Sequence, residues 1–414
     1  MKPSFRIVPV ASALHDTRAI ADLQATFTPA LERMGGALWE DPTDPSSPVV
    51  WFVLTGGTEQ RLLEAIADHE ARLGAGPVLL LSHRGQNSLP AALETLARLQ
   101  QDGRKGRVVH LEGAADDDGI CQLEDAVHDL QVWRRLHQLR VGVLGRPSDW
   151  LVASVPDPQD LRASWGPTMV PVAMEELFAL IDGARGEGSA GTTAHAESQP
   201  PSCCEVDSAA VRDAGLVAHA METIVKQHRL DAITVRCFDL VTARQTTGCH
   251  ALARLNDQGV TAACEGDIAS AVGMAWVRAL LGEPSWMANP ASIDELANSI
   301  LLAHCTVPRT MVGECGLRTH FESGLGVALT GQFATGPVTL LRVGGRRLEK
   351  VWMSDGDLVS TSTEDGLCRT QVTVCLREGS VADLLRRPLG NHLVMVRGHH
   401  ASRLRSWWES FGPA

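Results

Sequence analysis

Ala-Ala-Cys-Glu-Gly-Asp, residues 262–267, connects a short apolar run to a helical pattern. The apolar run predicts a strand, and Asp267 occupies the N-cap position ahead of apolar residues at helical spacing in 268–277. A carboxylate at such a junction lies at the carboxyl end of a strand, where α/β folds keep their ligand sites. Glu265 is therefore a candidate functional carboxylate. Taken alone, the segment is also typical of a plain helix-capping turn with a solvated glutamate.

Further metal-type donors stand at the edges of other apolar segments. Asn289, in Trp-Met-Ala-Asn-Pro at 286–290, offers an amide oxygen, and His304, in Leu-Leu-Ala-His-Cys at 301–305, offers an imidazole nitrogen. Near the end of the chain, Gly398-His399-His400 follows a predicted strand and should place at least one imidazole at a loop mouth. A lone histidine is more often a hydrogen-bonded core or surface residue, so the metal-site hypothesis depends on these segments meeting in space.

Composition narrows the class of protein. The chain has 414 residues, enough for two or three domains, with 44% hydrophobic and 21% charged residues. Its net charge of −12 argues against nucleic acid or an anionic membrane as the main partner. The ten cysteines include no C-x-x-C pair, and the apolar run at 7–11 is too short for a signal peptide. No stretch approaches the roughly 20 apolar residues of a membrane span, so a cytoplasmic protein is expected.

The order of apolar runs predicts the architecture. Short β-rich runs alternate with helical stretches through the first third of the chain and again from residue 141, which is typical of buried parallel sheets. After Pro308, strand-like runs separated by Gly, Asp and Ser turns indicate an antiparallel β domain. We therefore predict an α/β fold with two Rossmann-like, doubly wound parallel-sheet domains and a β-rich C-terminal domain. The predicted domains are 1–140, then 141–306 carrying Glu265 and Asn289, and 307–414 carrying His400.

Two polar loops are candidates for substrate contacts. Loop 83–88 contains Gln86 and Asn87 and has more hydrogen-bonding side chains than a connector needs, so it could contact sugar hydroxyls or another subunit. Loop 309–321 contains Arg318 and His320, which could contact hydroxyls or an anion, or could be solvated surface residues.

As an ordered set, these motifs resemble the L-fucose isomerase/L-arabinose isomerase superfamily, in particular its shorter, fucose-isomerase-like branch. The resemblance rests on Cys-Glu-Gly-Asp at 264–267, Met-Ala-Asn-Pro at 287–290, Leu-Leu-Ala-His-Cys-Thr at 301–306 and the late Gly-His-His. Asn-Ser-Leu-Pro-Ala-Ala-Leu-Glu at 87–94 and Cys-Arg-Thr-Gln at 368–371 extend it over nearly the whole chain. Each motif alone is weak, but their order is fairly specific.

The resemblance implies an intramolecular oxidoreductase of carbohydrate metabolism that interconverts aldoses and ketoses. Such enzymes use a divalent metal, usually Mn²⁺, and form trimers or hexamers whose sites a neighbouring subunit completes. Carried over, Glu265 matches the glutamate that binds the metal and moves the proton, and Asn289 matches an acidic ligand. His400 matches the C-terminal histidine ligand, and His304 matches a ligand of the arabinose isomerase branch. Which of His399 and His400 is the ligand stays open, and His399 is otherwise a candidate substrate contact. Oxygen donors with imidazole suit Mn²⁺, which would stabilise an enediolate as a carboxylate moves the proton.

Asn289 departs from the family pattern. An amide can coordinate a metal through its oxygen but carries no charge and accepts no proton, so two-carboxylate acid–base chemistry loses one partner. This leaves two alternatives to a ketol isomerase of a free sugar or polyol. One is an enzyme of the same fold with altered chemistry, such as an epimerase or an enzyme that rearranges a modified sugar. The other is a degenerate protein that binds a sugar or supports assembly.

Overall fold

A computed structural model describes residues 5–38, 47–186 and 205–413 of the chain. Within these ranges the chain divides into two compact units. The first takes residues from Met1–Arg135 and Arg405–Ala414, and the second takes residues from Leu136–Leu404. The three domains expected from the sequence stay a prediction. None of the helices in the described ranges is long and apolar enough to cross a membrane.

The first unit is built on a parallel sheet of five strands in the order β2-β1-β3-β4-β5. Its central strands are buried along their whole length, as expected of a parallel sheet covered on both faces. The elements in chain order are β1 Phe5–Val10, α1 Thr17–Arg33, β2 Gly36–Leu38, β3 Val49–Val53, α2 Glu59–Leu73, β4 Val78–His83, α3 Ser88–Gln101, β5 Gly106–Leu111 and α4 Asp117–Gln138.

The second unit begins with a parallel sheet of four strands in the order β7-β6-β8-β9. Its last strand is short and fully buried and leads directly to Glu265. The elements are β6 Arg140–Leu144, α5 Pro158–Trp165, β7 Thr168–Val172, α6 Met174–Gly186, α7 Ser208–His228, β8 Ala232–Val235, α8 Cys237–Arg244, α9 Cys249–Asp257, β9 Thr261–Ala263 and α10 Ile268–Leu281.

A closed antiparallel barrel follows, with the strand order β10-β11-β16-β15-β14-β17. A two-stranded sheet, β12-β13, accompanies it. The remaining elements are β10 Trp286–Asp294, β11 Ser299–His304, a 3-10 helix Arg309–Met311, β12 Glu314–Arg318, β13 Ala328–Gln332, β14 Gly336–Gly344, β15 Lys350–Ser362, β16 Thr370–Leu376, α11 Ala382–Arg386, β17 Leu393–Arg397 and α12 Ala401–Phe411. The predicted combination of parallel α/β sheets with a later antiparallel β part is confirmed.

Helix α10 joins the sheet to the barrel, because it packs against β9 on one side and β14 and β17 on the other. Its residues are apolar around most of the helix, and nearly all of them are buried. Gly273 lies over the barrel, where an added Cβ would be 3.5 Å from Val343 and 3.6 Å from Val394. The helix begins at the cap Asp267, which accepts a hydrogen bond from the backbone N–H of Ser270 at 2.8 Å. The predicted cap is confirmed.

Candidate functional site

A cavity of about 500 Å³ lies in the second unit between the sheet and the barrel. Its walls contain four residues that the sequence analysis selected: Glu265, Asn289, His304 and His320. The barrel register explains how the strand residues meet there. Asn289 on β10 pairs with Ala303 on β11, immediately before His304. Side chains from separate sequence motifs therefore converge on one cavity of a size typical of small-molecule sites.

Glu265 is held in an uncommon backbone conformation at the end of β9. Its φ angle is +63°, in the left-handed region that non-glycine residues rarely occupy, and Gly266 follows with a φ of +74°. Gly266 has no room for a side chain, because a Cβ there would be 2.6 Å from Cα of Pro147. The carbonyl of Glu265 accepts a hydrogen bond from the backbone N–H of Ser148 at 2.9 Å. The two turns thus lock together and aim the carboxylate into the cavity.

Two buried imidazoles face the Glu265 carboxylate. Nε2 of His392 lies 3.4 Å from Oε1 of Glu265, and the rings of His304 and His392 lie 5.5 Å apart between centroids. Nδ1 of His304 is 2.9 Å from the hydroxyl of Thr306. One potential ligand atom from each of Glu265, His304 and His392 falls within 4.8 Å of the other two. This group of three is the centre of the candidate site.

A buried polar network fixes the orientation of His392. Its Nδ1 lies 2.8 Å from Oδ2 of Asp267, and the same carboxylate oxygen contacts the Arg342 guanidinium at 3.0 Å. The hydroxyl of Ser270 donates to that oxygen at 2.8 Å and accepts from Arg342 at 2.6 Å. Because an ionised carboxylate only accepts hydrogen bonds, Nδ1 of His392 must carry the proton in that contact. Its Nε2 therefore points toward Glu265 and His304.

The electrostatics follow from burial and these contacts. Burial opposes ionisation of Glu265, but the hydrogen bond and charge of His392, with smaller effects of His304 and Trp150, outweigh it and lower its pKa to about 2. Burial also opposes the charged form of His392, yet its hydrogen bonds to Asp267 and Glu265 raise its pKa to about 9. For His304, burial and the nearby His392 lower the pKa to about 4. Burial would raise the pKa of Asp267, but the Arg342 charge and His392 hold it well below its usual range.

These residues fit a divalent metal ion. Nε2 of His392 is completely buried, and its contact with Oε1 of Glu265, at 3.4 Å, is longer than an ordinary hydrogen bond, so among the described residues this nitrogen is directed at the group and only weakly satisfied. An imidazole whose other nitrogen is bonded to a carboxylate is the usual arrangement of a metal-binding histidine. One carboxylate and two imidazoles suit a first-row divalent ion. Asn289 lines the same cavity and offers an amide oxygen.

The structure does not bring the predicted ligand His400, or His399, to this group. The strand β17 separates them from His392, and its five residues span about 17 Å at roughly 3.3 Å per residue. Nε2 of His400 lies 2.8 Å from the carbonyl oxygen of Arg397, so the imidazole folds back on its own turn. His399 Nε2 is 3.1 Å from the carbonyl oxygen of Gly356. Both histidines lie beyond one end of β17, whereas His392 directly precedes its other end.

The remaining predicted contacts lie in different settings. His320 lines the cavity, whereas Arg318 is held by ion pairs with Glu205 at 2.7 Å and Asp365 at 3.2 Å. Gln86 and Asn87 belong to the first unit, where both adopt positive φ angles and Asn87 occupies the N-cap position of α3. Their assignment to substrate binding stays a prediction.

The residues of the cavity region that were not candidates from the sequence include His392, Asn391 and Trp150. His392 has the same sequence signal as His304, because each is a histidine at the edge of an apolar strand. The sequence pattern instead favours the paired histidines at the other end of that strand as the metal ligand. Asn391 lines the cavity directly before it. Trp150 lies in a loop after β6, where a single tryptophan carries no motif.

Comparison with known proteins finds curated relatives that share one name. No protein-family model matches the chain. Over 246 residues the chain is 28% identical to the sulfoquinovose isomerase of Clostridium sp. (strain MSTE9). That aligned region covers 54% of this chain and 55% of that protein. Over 228 residues it is 24% identical to the sulfoquinovose isomerase of Priestia aryabhattai, covering 52% and 50%. The chain thus spans about half the length of the curated relatives it matches. These relatives are sugar isomerases, whereas membership of the L-fucose/L-arabinose isomerase superfamily stays a prediction.

Proposed function

We propose that this protein is an aldose–ketose isomerase that acts on a free or modified sugar. The observation that carries the proposal is the fixed Glu265 carboxylate beside two buried imidazoles in one cavity. The similarity to sulfoquinovose isomerases supports the same reaction class independently of that geometry. A sugar with a sulfonate group, such as sulfoquinovose, is therefore the first substrate to test.

Glu265 is the proposed base that moves a proton between C2 and C1. Its lowered pKa keeps the carboxylate ionised at neutral pH, which is the form that can accept the C2 proton. Transfer of that proton to C1 through an enediol, with the hydroxyl proton moving between the two oxygens, converts an aldose to a ketose without net loss or gain of atoms. The turn at Glu265 and Gly266 keeps the carboxylate in place during both transfers.

Glu265, His304 and His392 would hold a divalent ion, proposed to be Mn²⁺, with the Asn289 amide oxygen available as a further donor. When bound, such an ion supplies Lewis-acid polarisation of the carbonyl and stabilises developing negative charge. Asp267 keeps His392 in the tautomer that such a site needs. The homo-oligomer, trimer or hexamer, and the cytoplasmic location stay predictions.

Asn289 supports a second candidate. Because it places an uncharged amide where the family pattern has an acid, a carboxylate base could act without a second acidic group. Protonation of the enediol at C2 on the opposite face would then give an epimer in place of a ketose. Because Glu265 is fixed on one face, a water molecule would deliver that proton, and the hydroxide left behind would take up the proton that Glu265 removed. Glu265 would be the base in either reaction, so the product decides between them.

The test is a proton NMR assay of the purified protein with Mn²⁺ and sulfoquinovose in D₂O, repeated with D-glucose. We expect a ketose product, with kcat reduced about 10²- to 10⁴-fold in Glu265→Gln, the usual contribution of a general base. Glu314→Gln, the same change at an exposed residue of β12, is the matched control and should retain wild-type activity. An epimer without ketose would favour the second candidate. Binding of the sugars without any turnover would refute both enzymatic proposals.

A further inference from the structure

Trp150 lies outside the metal-type group and makes a short hydrogen bond to the proposed base. It lies in the loop between β6 and α5, and its indole N–H donates a hydrogen bond to Oε2 of Glu265 at 2.6 Å. Its side chain is 49% exposed and lines the cavity. The indole thus contacts the carboxylate on one edge and leaves part of its ring open to a ligand.

The loop that carries Trp150 is anchored on both sides of the tryptophan. Arg236 donates to the carbonyl oxygen of Pro147 at 2.8 Å and pairs with Asp149 at 2.7 Å. The next residue, Leu151, is 3% exposed. Because these contacts fix the backbone around it, Trp150 holds its place for reasons other than its bond to Glu265.

The hydrogen bond from Trp150 gives the two carboxylate oxygens of Glu265 different contacts. Oε2 is occupied by the indole N–H, while Oε1 faces Nε2 of His392 at 3.4 Å. Indole is a donor only, so it cannot act as a metal ligand or a base. Its effect is to stop rotation of the carboxylate, which leaves one defined oxygen for the histidine group.

The indole ring belongs to an aromatic wall of the cavity. The rings of Trp150 and Phe238 pack edge to face, with their centroids 5.1 Å apart. The centroid distance is 5.8 Å from Phe238 to His320 and 6.0 Å from His320 to Phe321. Sugars present C–H groups on one face and hydroxyls on their edges. A half-exposed aromatic ring next to polar donors suits that division, because the ring packs on the C–H groups without breaking hydroxyl hydrogen bonds.

We propose that Trp150 is a positioning residue that fixes the Glu265 carboxylate through its N–H and packs its ring on the C–H face of the sugar. This inference rests on the proposed isomerase function and adds to it a determinant of substrate binding. The two roles use different parts of the side chain. They can therefore be separated by substitution.

Trp150→Phe keeps an aromatic ring and removes the N–H, whereas Trp150→Ala removes both. With sulfoquinovose and Mn²⁺, we expect the kcat of Trp150→Phe to fall about tenfold and its KM to stay within twofold of wild type. Its Mn²⁺ affinity should also fall about tenfold, which is the smaller end of the effect of losing a hydrogen bond to a metal ligand. Trp150→Ala should show the same losses and also a KM raised at least fivefold. Trp352→Phe, the same change on β15 outside the cavity lining, is the matched control and should match wild type.

Circular dichroism of each variant establishes that it is folded before the kinetics are compared. Equal kcat, KM and Mn²⁺ affinity in Trp150→Phe and Trp352→Phe would overturn the positioning role while leaving the isomerase proposal intact. A KM for Trp150→Ala no higher than that of Trp150→Phe would overturn the role of the ring. A wild-type protein that neither binds Mn²⁺ nor converts the sugar would overturn this inference together with the proposed function.

Discussion

Replacing His392 by glutamine removes one of the two imidazoles that face Glu265, together with the Nδ1 contact to Asp267, and keeps an uncharged polar side chain of similar length. The change therefore tests the identity of the third metal-type donor. His400→Gln is the matched control, because it makes the same substitution at the histidine that the sequence pattern favours as a ligand. Its imidazole contacts the carbonyl oxygen of Arg397 beyond the opposite end of β17.

The expected size of the effect follows from the number of donors. Loss of a residue that only orients a metal ligand usually costs 10- to 100-fold in affinity. His392 would contact the ion directly as one of three buried donors, so its loss should weaken Mn²⁺ binding at least 100-fold. At about 1.4 kcal/mol per tenfold change, this corresponds to about 2.8 kcal/mol. His400→Gln should change the affinity less than twofold.

Titration calorimetry with Mn²⁺ at pH 7.5 measures both affinities directly. Thermal unfolding of the metal-free variants serves as the folding control, since His392 is completely buried and its replacement disturbs charged neighbours. A folded His392→Gln protein with wild-type affinity would refute the assignment of His392. A 100-fold loss in His400→Gln would show that the sequence-based ligand is correct and the observed grouping is not the metal site.

Two more measurements examine the charge balance of the site. His392 titrates near pH 9 while Glu265 and His304 titrate near 2 and 4, so at pH 7 only His392 must lose a proton before its Nε2 can coordinate an ion. Mn²⁺ affinity should then rise about tenfold per pH unit between roughly pH 6 and 8, and binding should release one proton. Calorimetry in buffers of different ionisation enthalpy measures the protons released. A measurement of no proton release would contradict the prediction. Asn289→Asp adds a carboxylate to the same wall and should raise Mn²⁺ affinity at least about tenfold, since ligand charge tunes affinity; an unchanged or lower affinity would exclude residue 289 from the coordination sphere.

The alternation of apolar runs was sufficient to predict the parallel sheets, because the fully buried strand Val49–Val53 and the first four residues of Val78–His83 are continuous hydrophobic segments. The same pattern could not show that β10 and β11 belong to the barrel. Their apolar runs, at Trp286–Asp294 and Ser299–His304, are equally compatible with an α/β sheet. Only their pairing with β17 and β16, distant in sequence, assigns them.

That pairing also explains how much of the site could be predicted. Glu265, Asn289 and His304 were recognisable because each follows or ends an apolar segment. His392 joins them because β17 runs antiparallel to β10, with Leu393 opposite Ala288, so the next pair along the strands is His392 and Asn289. Sequence periodicity identifies a strand but not which of its ends meets the carboxylate. The choice between His392 and His400 therefore required the strand order of the barrel.

Asp267 shows why a local pattern can be right and still incomplete. As the N-cap of α10 it needs only its hydrogen bond to the Ser270 N–H, and nothing in the sequence indicates a second role. In the structure the same carboxylate also holds His392 and pairs with Arg342, and both side chains of the ion pair are almost completely buried. A buried ion pair contributes little net stability, because desolvation offsets the attraction. Its consequence here is chemical: the Arg342 charge keeps Asp267 ionised, and an ionised Asp267 keeps the His392 proton on Nδ1 and Nε2 directed at Glu265.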